Sequence, residues 1–183
     1  GGLSCPKCSD GHSYPERLMY NFLKELKVDF VKELNRSTFE WAEDKRYDFY
    51  SESLSLIIEC HGRQHFSGGF ENIGGRSLEE EQENDRIKRE LALSNGIKHY
   101  VEIDCRESNA EYIKNSILNS ELANIFDLSK VNWQEVALQS EKSLVFRAVD
   151  LWNKGLSVAE IDSELKISRT TSCNYLKKGN KIG

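Results

Sequence analysis

The sequence predicts an α/β domain with a mixed sheet, followed by a small all-α module. Three patterns lead there. Helix-period and strand-period apolar spacing alternate in the order αβββαβα over residues 13–122. One strand pattern, Leu54-Ser-Leu-Ile-Ile-Glu-Cys-His61, is apolar enough to be covered on both faces. Past about residue 122 the strand patterns cease, and three short helical patterns close the chain.

The elements follow in order. Ser13-Tyr-Pro-Glu16 opens a helix of about 14 residues, with Leu18, Phe22, Leu23 and Leu26 on one side. Val28-Asp-Phe-Val31, Arg46-Tyr-Asp-Phe-Tyr50 and Leu54–His61 read as a three-strand meander. Gly62 to Gly75 is too polar and too rich in glycine for a core element, so a mobile loop is expected. Ser77-Leu-Glu-Glu80 caps a second helix that turns Ile87 and Leu91 inward and ends at Asn95-Gly96. Ile97–Ile103 is a further strand and Ala110–Leu122 a further helix. The expected organisation is a segment 1–12, an α/β domain 13–122, a linker 123–141 and a helical module 142–183.

Composition limits the class. The chain has 183 residues, with 25 Lys+Arg against 30 Asp+Glu and a formal charge of −5, which excludes a protein that coats nucleic acid with its whole surface. The 38% hydrophobic and 30% charged residues exclude pure disorder and a collagen-like fibre. No apolar run approaches the roughly 20 residues of a membrane helix, and the start, GGLSCPKCSDGH, lacks a signal peptide's basic and apolar regions. A cytoplasmic location, in a bacterial or phage-infected cell, is the expectation. Five irregularly spaced cysteines do not make a disulfide framework. Cys105 and Cys173 have no partner at metal spacing and read as inert thiols.

Three segments carry acids, histidines and a lysine that core packing does not call for. Asp48 alternates with the apolar Tyr47 and Phe49. Glu59, His61 and His65 stand at the end of a strand that should be buried, where such groups cost several kcal/mol unless they bind a metal or one another. Asp85 and Lys88 share a helix face at i,i+3. The set supplies hard oxygen ligands for Mg²⁺, a general base and a cation for phosphate. Glu16 also fits as the glutamate of a capping box begun by Ser13, and a solvated helix face accounts for much of the charge between Glu79 and Arg89.

Asp48, the 11-residue step to Glu59 and the following Glu-x-His resemble the PD-(D/E)xK nuclease pattern, with His61 where lysine usually stands. Glu16, Asp48, His-Gly-x-x-His and Asp85 together resemble the very-short-patch repair endonucleases and the EDxHD homing endonucleases of phage introns. The resemblance covers about residues 13–120 and implies a restriction-endonuclease-like fold. It implies Glu16, Asp48, Glu59, His61, His65 and Asp85 as the catalytic set. Asp48, Glu59 and the backbone carbonyl of Cys60 are the implied ligands for Mg²⁺, with Mn²⁺ as a substitute. Glu59 is an acid beyond the family pattern and the loop before His65 is one residue short, so His61 and His65 both stand as the proton-handling residue. One such centre cuts one strand, and a double-strand break calls for two chains, as in a homodimer on DNA, or two visits.

Cys5-Pro-Lys-Cys8 is half of a zinc knuckle. With Gly2 it resembles the close of the small zinc-binding repeats that precede such nucleases in phage proteins, so zinc is expected there only if ligands lie upstream; His12 is a third candidate. At the other end, Leu156–Leu165, the turn Lys166-Ile-Ser168 and the pattern from Arg169 read as helix-turn-helix, with Ala159 and Ile161 inward. Residues 121–183 carry nine basic against eight acidic residues, and Lys166–Gly183 carries five basic and no acidic ones. Arg169, Thr170, Thr171, Ser172 and Asn174 are the expected readers of major-groove edges, and Lys177, Lys178 and Lys181 the phosphate contacts. The function expected is a site-specific, metal-dependent endonuclease on double-stranded DNA. The alternatives are a mismatch-nicking repair enzyme, for which Trp41 and Phe66 are candidate wedges, and a non-catalytic DNA-binding regulator. RNA is a less favoured substrate.

Overall fold

A computed structural model describes residues 13–67 and 75–183, apart from the side chain of Ser143. The chain divides into two compact units, Leu23–Val131, and Gly1–Phe22 together with Asn132–Gly183. No helix among the described residues is long and apolar enough to cross a membrane.

Leu23–Val131 holds a four-stranded mixed sheet in the order β1 (Val31–Leu34), β2 (Tyr47–Ser51), β3 (Leu56–His61), β4 (His99–Asp104). The first two pairings are antiparallel. The third is parallel, in the register Glu59↔Glu102 and His61↔Asp104, and helix α2 (Leu78–Ser94) makes the crossover. β3 is therefore paired at both edges, and consecutive Leu56, Ile57 and Ile58 are buried because both of its faces are covered, which is why its apolar run is continuous. Tyr47, Ile57, Ala92 and Tyr100 join Leu34 and Ala42 in one core cluster. Trp41 is partly buried and packs against this cluster, stacked on Phe39 at 5.5 Å and edge-on to Tyr47 at 5.8 Å.

Local chemistry explains where the elements begin and end. Ser77 and Glu80 form the expected capping box of α2, and the helix stops at Asn95 and Gly96, whose φ of +94° suits glycine. The first strand begins at Val31 instead of Val28, because Lys27 turns left-handed at φ 56° and the Val28 N–H donates back to the Leu23 carbonyl, closing the preceding helix. The helix expected over 110–122 is two, α3 (Ala110–Leu118) and α4 (Leu122–Ile125). Between them the Ser120 hydroxyl donates to the Ile117 carbonyl and accepts from the Leu122 N–H. The expected glycine-rich loop begins with a 3₁₀ turn, Arg63–His65, and its residues 68–74 lie outside the described residues.

The other unit is helical. α1 (Tyr14–Glu25), as far as Phe22, joins α5 (Trp133–Asn153), α6 (Val158–Leu165) and α7 (Arg169–Lys178). Phe22 stacks on Trp133 at 5.3 Å, and Asn21 donates to the Ser140 hydroxyl at 3.0 Å. These contacts draw α1 out of the unit expected over 13–122. The stretch 123–141, expected as a linker, contains a 3₁₀ turn at Leu128–Lys130 and the first part of α5. It is ordered because Leu128, Val131, Val136 and Ser140 are buried.

α6 and α7 follow one another across the short turn Lys166–Ser168. Lys166 takes a left-handed C-cap at φ 55°, and Ser168 caps α7 by accepting from the Thr171 N–H. Leu144, Ala148, Ile161, Leu165, Tyr175 and Leu176 make the core. Ala159, expected inward, is exposed, and Leu165 takes the inward position instead. Ile161→Ala should lower the stability of this helical unit by about 2–5 kcal/mol, measured by urea denaturation followed at the helical circular-dichroism signal.

Candidate functional site

Within Leu23–Val131 the ionisable residues of β2, β3, the 3₁₀ turn and α2 converge. Alternation puts Ile57, Glu59 and His61 on one face of β3. Glu81, Asp85 and Lys88 follow at i, i+4 and i+7 on α2, one stripe of a helix, and that stripe meets the strand. Lys88 Nζ donates to Glu59 Oε2 at 2.8 Å. Asp85 Oδ1 stands 3.9 Å from His61 Nε2. After Gly62 the turn closes through the His65 N–H to the Gly62 carbonyl and lays the His65 ring on that of His61, 4.0 Å between centroids and 3° from parallel. His65 Nδ1 then lies 2.7 Å from Asp85 Oδ2 and 3.5 Å from Glu81 Oε1. From β4, Glu102 Oε2 approaches His61 Nδ1 at 3.4 Å.

Asp48 joins from β2. Its Oδ2 accepts the Cys60 N–H at 2.8 Å, and its own N–H donates to Glu59 Oε1 at 3.3 Å. Burial pushes the Glu59 carboxyl up to about 8; Asp48 adds to the rise, and Lys88 pulls the other way. Burial likewise drives His61 down to about 4, helped by the neighbouring His65, while Asp85 opposes. His61 is thus neutral near pH 7, able to act as a hydrogen-bond partner or a ligand.

Of the residues singled out from sequence, Asp48, Glu59, Cys60, His61, His65 and Asp85 come together in this unit. Glu16 is on α1, in the helical unit. Lys88 is more central than its charged surroundings suggested, being the partner of the most deeply buried acid. Sequence reasoning passed over Glu81 and Glu102. Glu81 was legible at i−4 from Asp85, whereas Glu102 depends on the β3–β4 register.

In the helical unit Thr170, Asn174, Lys177 and Lys181 are exposed. Arg169 is exposed but held by Asp162, Nε to Oδ2 at 2.7 Å, and Lys178 is paired with Glu141. The Thr171 hydroxyl lies 2.8 Å from that of Ser168, within the cap. Ser172 is fully buried and so is not a groove-facing residue; it follows Thr171 on the side of α7 that enters the core. Cys5, Cys8 and His12 lie outside the described residues. Cys105 is buried and Cys173 half-buried, both as free thiols.

The donor sets differ in the cation they fit. Asp48 and Glu59 offer oxygens of the kind Mg²⁺ takes, but burial keeps Glu59 largely protonated near pH 7 and Lys88 occupies its Oε2, so Asp48 is the acid that fits a hard cation. His61, His65 and Asp85 each place a ligand atom within 4.8 Å of the others. No family model, curated protein or solved structure matches the chain.

The two shifted groups set a pH profile for the metal-free protein. Glu59, raised from 4.5 to about 8, contributes stability that is lost as pH rises from 4.5 through 8. His61, lowered from 6.5 to about 4, contributes stability that is lost as pH falls from 6.5 through 4. The two slopes cancel between 4.5 and 6.5 and Glu59 acts alone above that. In EDTA, stability should be flat across that window and fall by about 2 kcal/mol towards pH 8. Glu59→Gln should remove the fall, as read from urea midpoints at each pH.

Proposed function

We propose that the chain is a divalent-cation-dependent DNA endonuclease with a restriction-endonuclease-like core, in which α6 and α7 bind the duplex. The observation that carries this reading is the His65–Asp85 pair beside the Asp48, Glu59 and Lys88 group, assembled from β2, β3 and α2. An antiparallel meander that passes through a helix to a parallel fourth strand supports the same reading. Exposed Asn174 and Lys177 on the second helix of a helix-turn-helix support duplex DNA as the substrate.

Each side chain then has a task. Asp48 would hold the cation, which when bound supplies positive charge to the scissile phosphate and lowers the pKa of water. Asp85 accepts the Nδ1–H of His65 and so fixes the tautomer in which Nε2 is the proton acceptor. His65 is favoured over His61 as the base because His61 is buried, with its two nitrogens facing Asp85 and Glu102. Lys88 holds Glu59 in place, and Tyr47 Oη steadies that turn of α2 by donating to the Lys88 carbonyl at 2.9 Å. One centre per chain cuts one strand, so linear product from a plasmid requires two chains or two visits by one chain.

Supercoiled plasmid should be nicked in Mg²⁺ or Mn²⁺ and left intact in EDTA. Asp48→Ala should abolish cutting, and His65→Ala should slow it by about 10²–10⁴, with duplex binding retained in both. Tight duplex binding without cleavage in any metal would instead favour a DNA-binding regulator. Lys177→Ala should weaken binding to all sequences alike and reduce the slope of log K against log salt by about 1, measured by fluorescence anisotropy.

A further inference from the structure

We propose that His61, His65 and Asp85 form a nitrogen-rich site for a first-row transition-metal ion such as Zn²⁺ or Co²⁺, different in donor chemistry from an oxygen-ligated Mg²⁺ at Asp48. The site stands on its own geometry, whether or not the chain cuts DNA. Two imidazoles and one carboxylate are donors that favour the later divalent metals over Mg²⁺. Bond lengths of about 2.0–2.1 Å in a tetrahedral site put neighbouring donor atoms about 3.3 Å apart. The two oxygens of Asp85 stand 2.7 Å from His65 Nδ1 and 3.9 Å from His61 Nε2, on either side of that spacing.

What surrounds the trio favours a cation over a simple ion pair. One histidine is satisfied by one carboxylate, yet here two stacked imidazoles face three, Asp85, Glu81 and Glu102. His61 turns Nε2 towards Asp85 while its other nitrogen, Nδ1, meets Glu102 at 3.4 Å. That is the arrangement in which an outer carboxylate orients a metal-bound imidazole and raises its basicity. Glu81, 3.5 Å from His65 Nδ1, is within reach as a fourth donor. The ligands come from a paired strand, the turn that follows it and a capped helix, and the His65 ring, on the turn, rotates out of its stack on His61 for both imidazoles to meet one ion.

The test uses the full chain carrying Cys5→Ser and Cys8→Ser, so that the Cys5-Pro-Lys-Cys8 pair contributes no thiolate, and with Cys60→Ser and Cys173→Ser to remove the other accessible thiols. Co²⁺ is titrated and followed by its d–d absorption, with Zn²⁺ followed by calorimetry. One ion per chain is expected, with affinity reduced at least tenfold by His65→Ala or Asp85→Asn, and about 10–100-fold by Glu102→Gln. In the same background without further substitution, Zn²⁺ should shift the imidazole ¹⁵N resonances of His61 and His65 together, a readout that does not depend on the folding of any site variant. Absence of binding, binding that His65→Ala leaves unchanged, or a shift confined to His99 or His12 overturns the site.

Discussion

β3 is the inner strand of the antiparallel run and the partner of the parallel strand, so both of its edges are bonded, yet it ends in Glu59-Cys60-His61. A carboxyl and an imidazole at 3% and 6% exposure lose their hydration and must be answered from inside the protein. The stripe Glu81, Asp85, Lys88 on α2 gives that answer, with Lys88 facing the acid and Asp85 the histidine. Much of the unit follows from this match. The capping box fixes where α2 starts, Tyr47 ties the Lys88 turn to β2, and the 3₁₀ turn adds a second imidazole to the first. Replacing the pair Glu59 and Lys88 by apolar residues of similar size would cost little in principle. Burial raises the Glu59 carboxyl to about 8, so near neutral pH Lys88 meets a largely protonated acid and the pair adds little to stability.

The helical unit works under a different constraint. Three short helices enclose little apolar surface alone, and the unit enlarges its core by lengthening α5 and adding α1, whose Tyr14 packs on the Leu144, Ile161 and Leu176 cluster. Burial on one side of α7 decides what the other side can present. Ser172, Tyr175 and Leu176 turn inward, leaving Thr170, Asn174 and Lys177 outward. Asp162 holds Arg169 through Nε, a tie that limits the guanidinium's rotamers.

The sequence made the αβββαβα order and α6 legible because periodicity and capping residues act locally. Ser77 with Glu80 and Ser157 with Glu160 form the capping boxes their spacing implies. What escaped depends on contacts between distant residues or on backbone turns that composition does not mark. Lys27 has no glycine to announce a left-handed turn, yet it moves the first strand by three residues. Trp133 reads as a linker tryptophan until Phe22 is found stacked against it. The candidate site was legible as a set of residue types, since acids and histidines near an apolar strand require an explanation. Its pairing was not, because Lys88 on Glu59 and Glu102 on His61 require the packing of α2 and the β3–β4 register.

One geometry serves the two chemistries proposed for His65. With a proton on Nδ1 the ring donates to Asp85, and Nε2 is the acceptor a hydrolytic water needs. With a transition ion in place of that proton, Asp85 is a ligand and the tautomer is no longer fixed by hydrogen bonding. Proton and ion compete for the same nitrogen, so a metal bound at the trio and a free His65 base exclude each other. Mg²⁺ does not enter that competition, because it prefers oxygen donors and dehydrates reluctantly. On the two proposals together, an oxygen-rich corner at Asp48 and a nitrogen-rich corner at His61 and His65 would distinguish two divalent metals by ligand type.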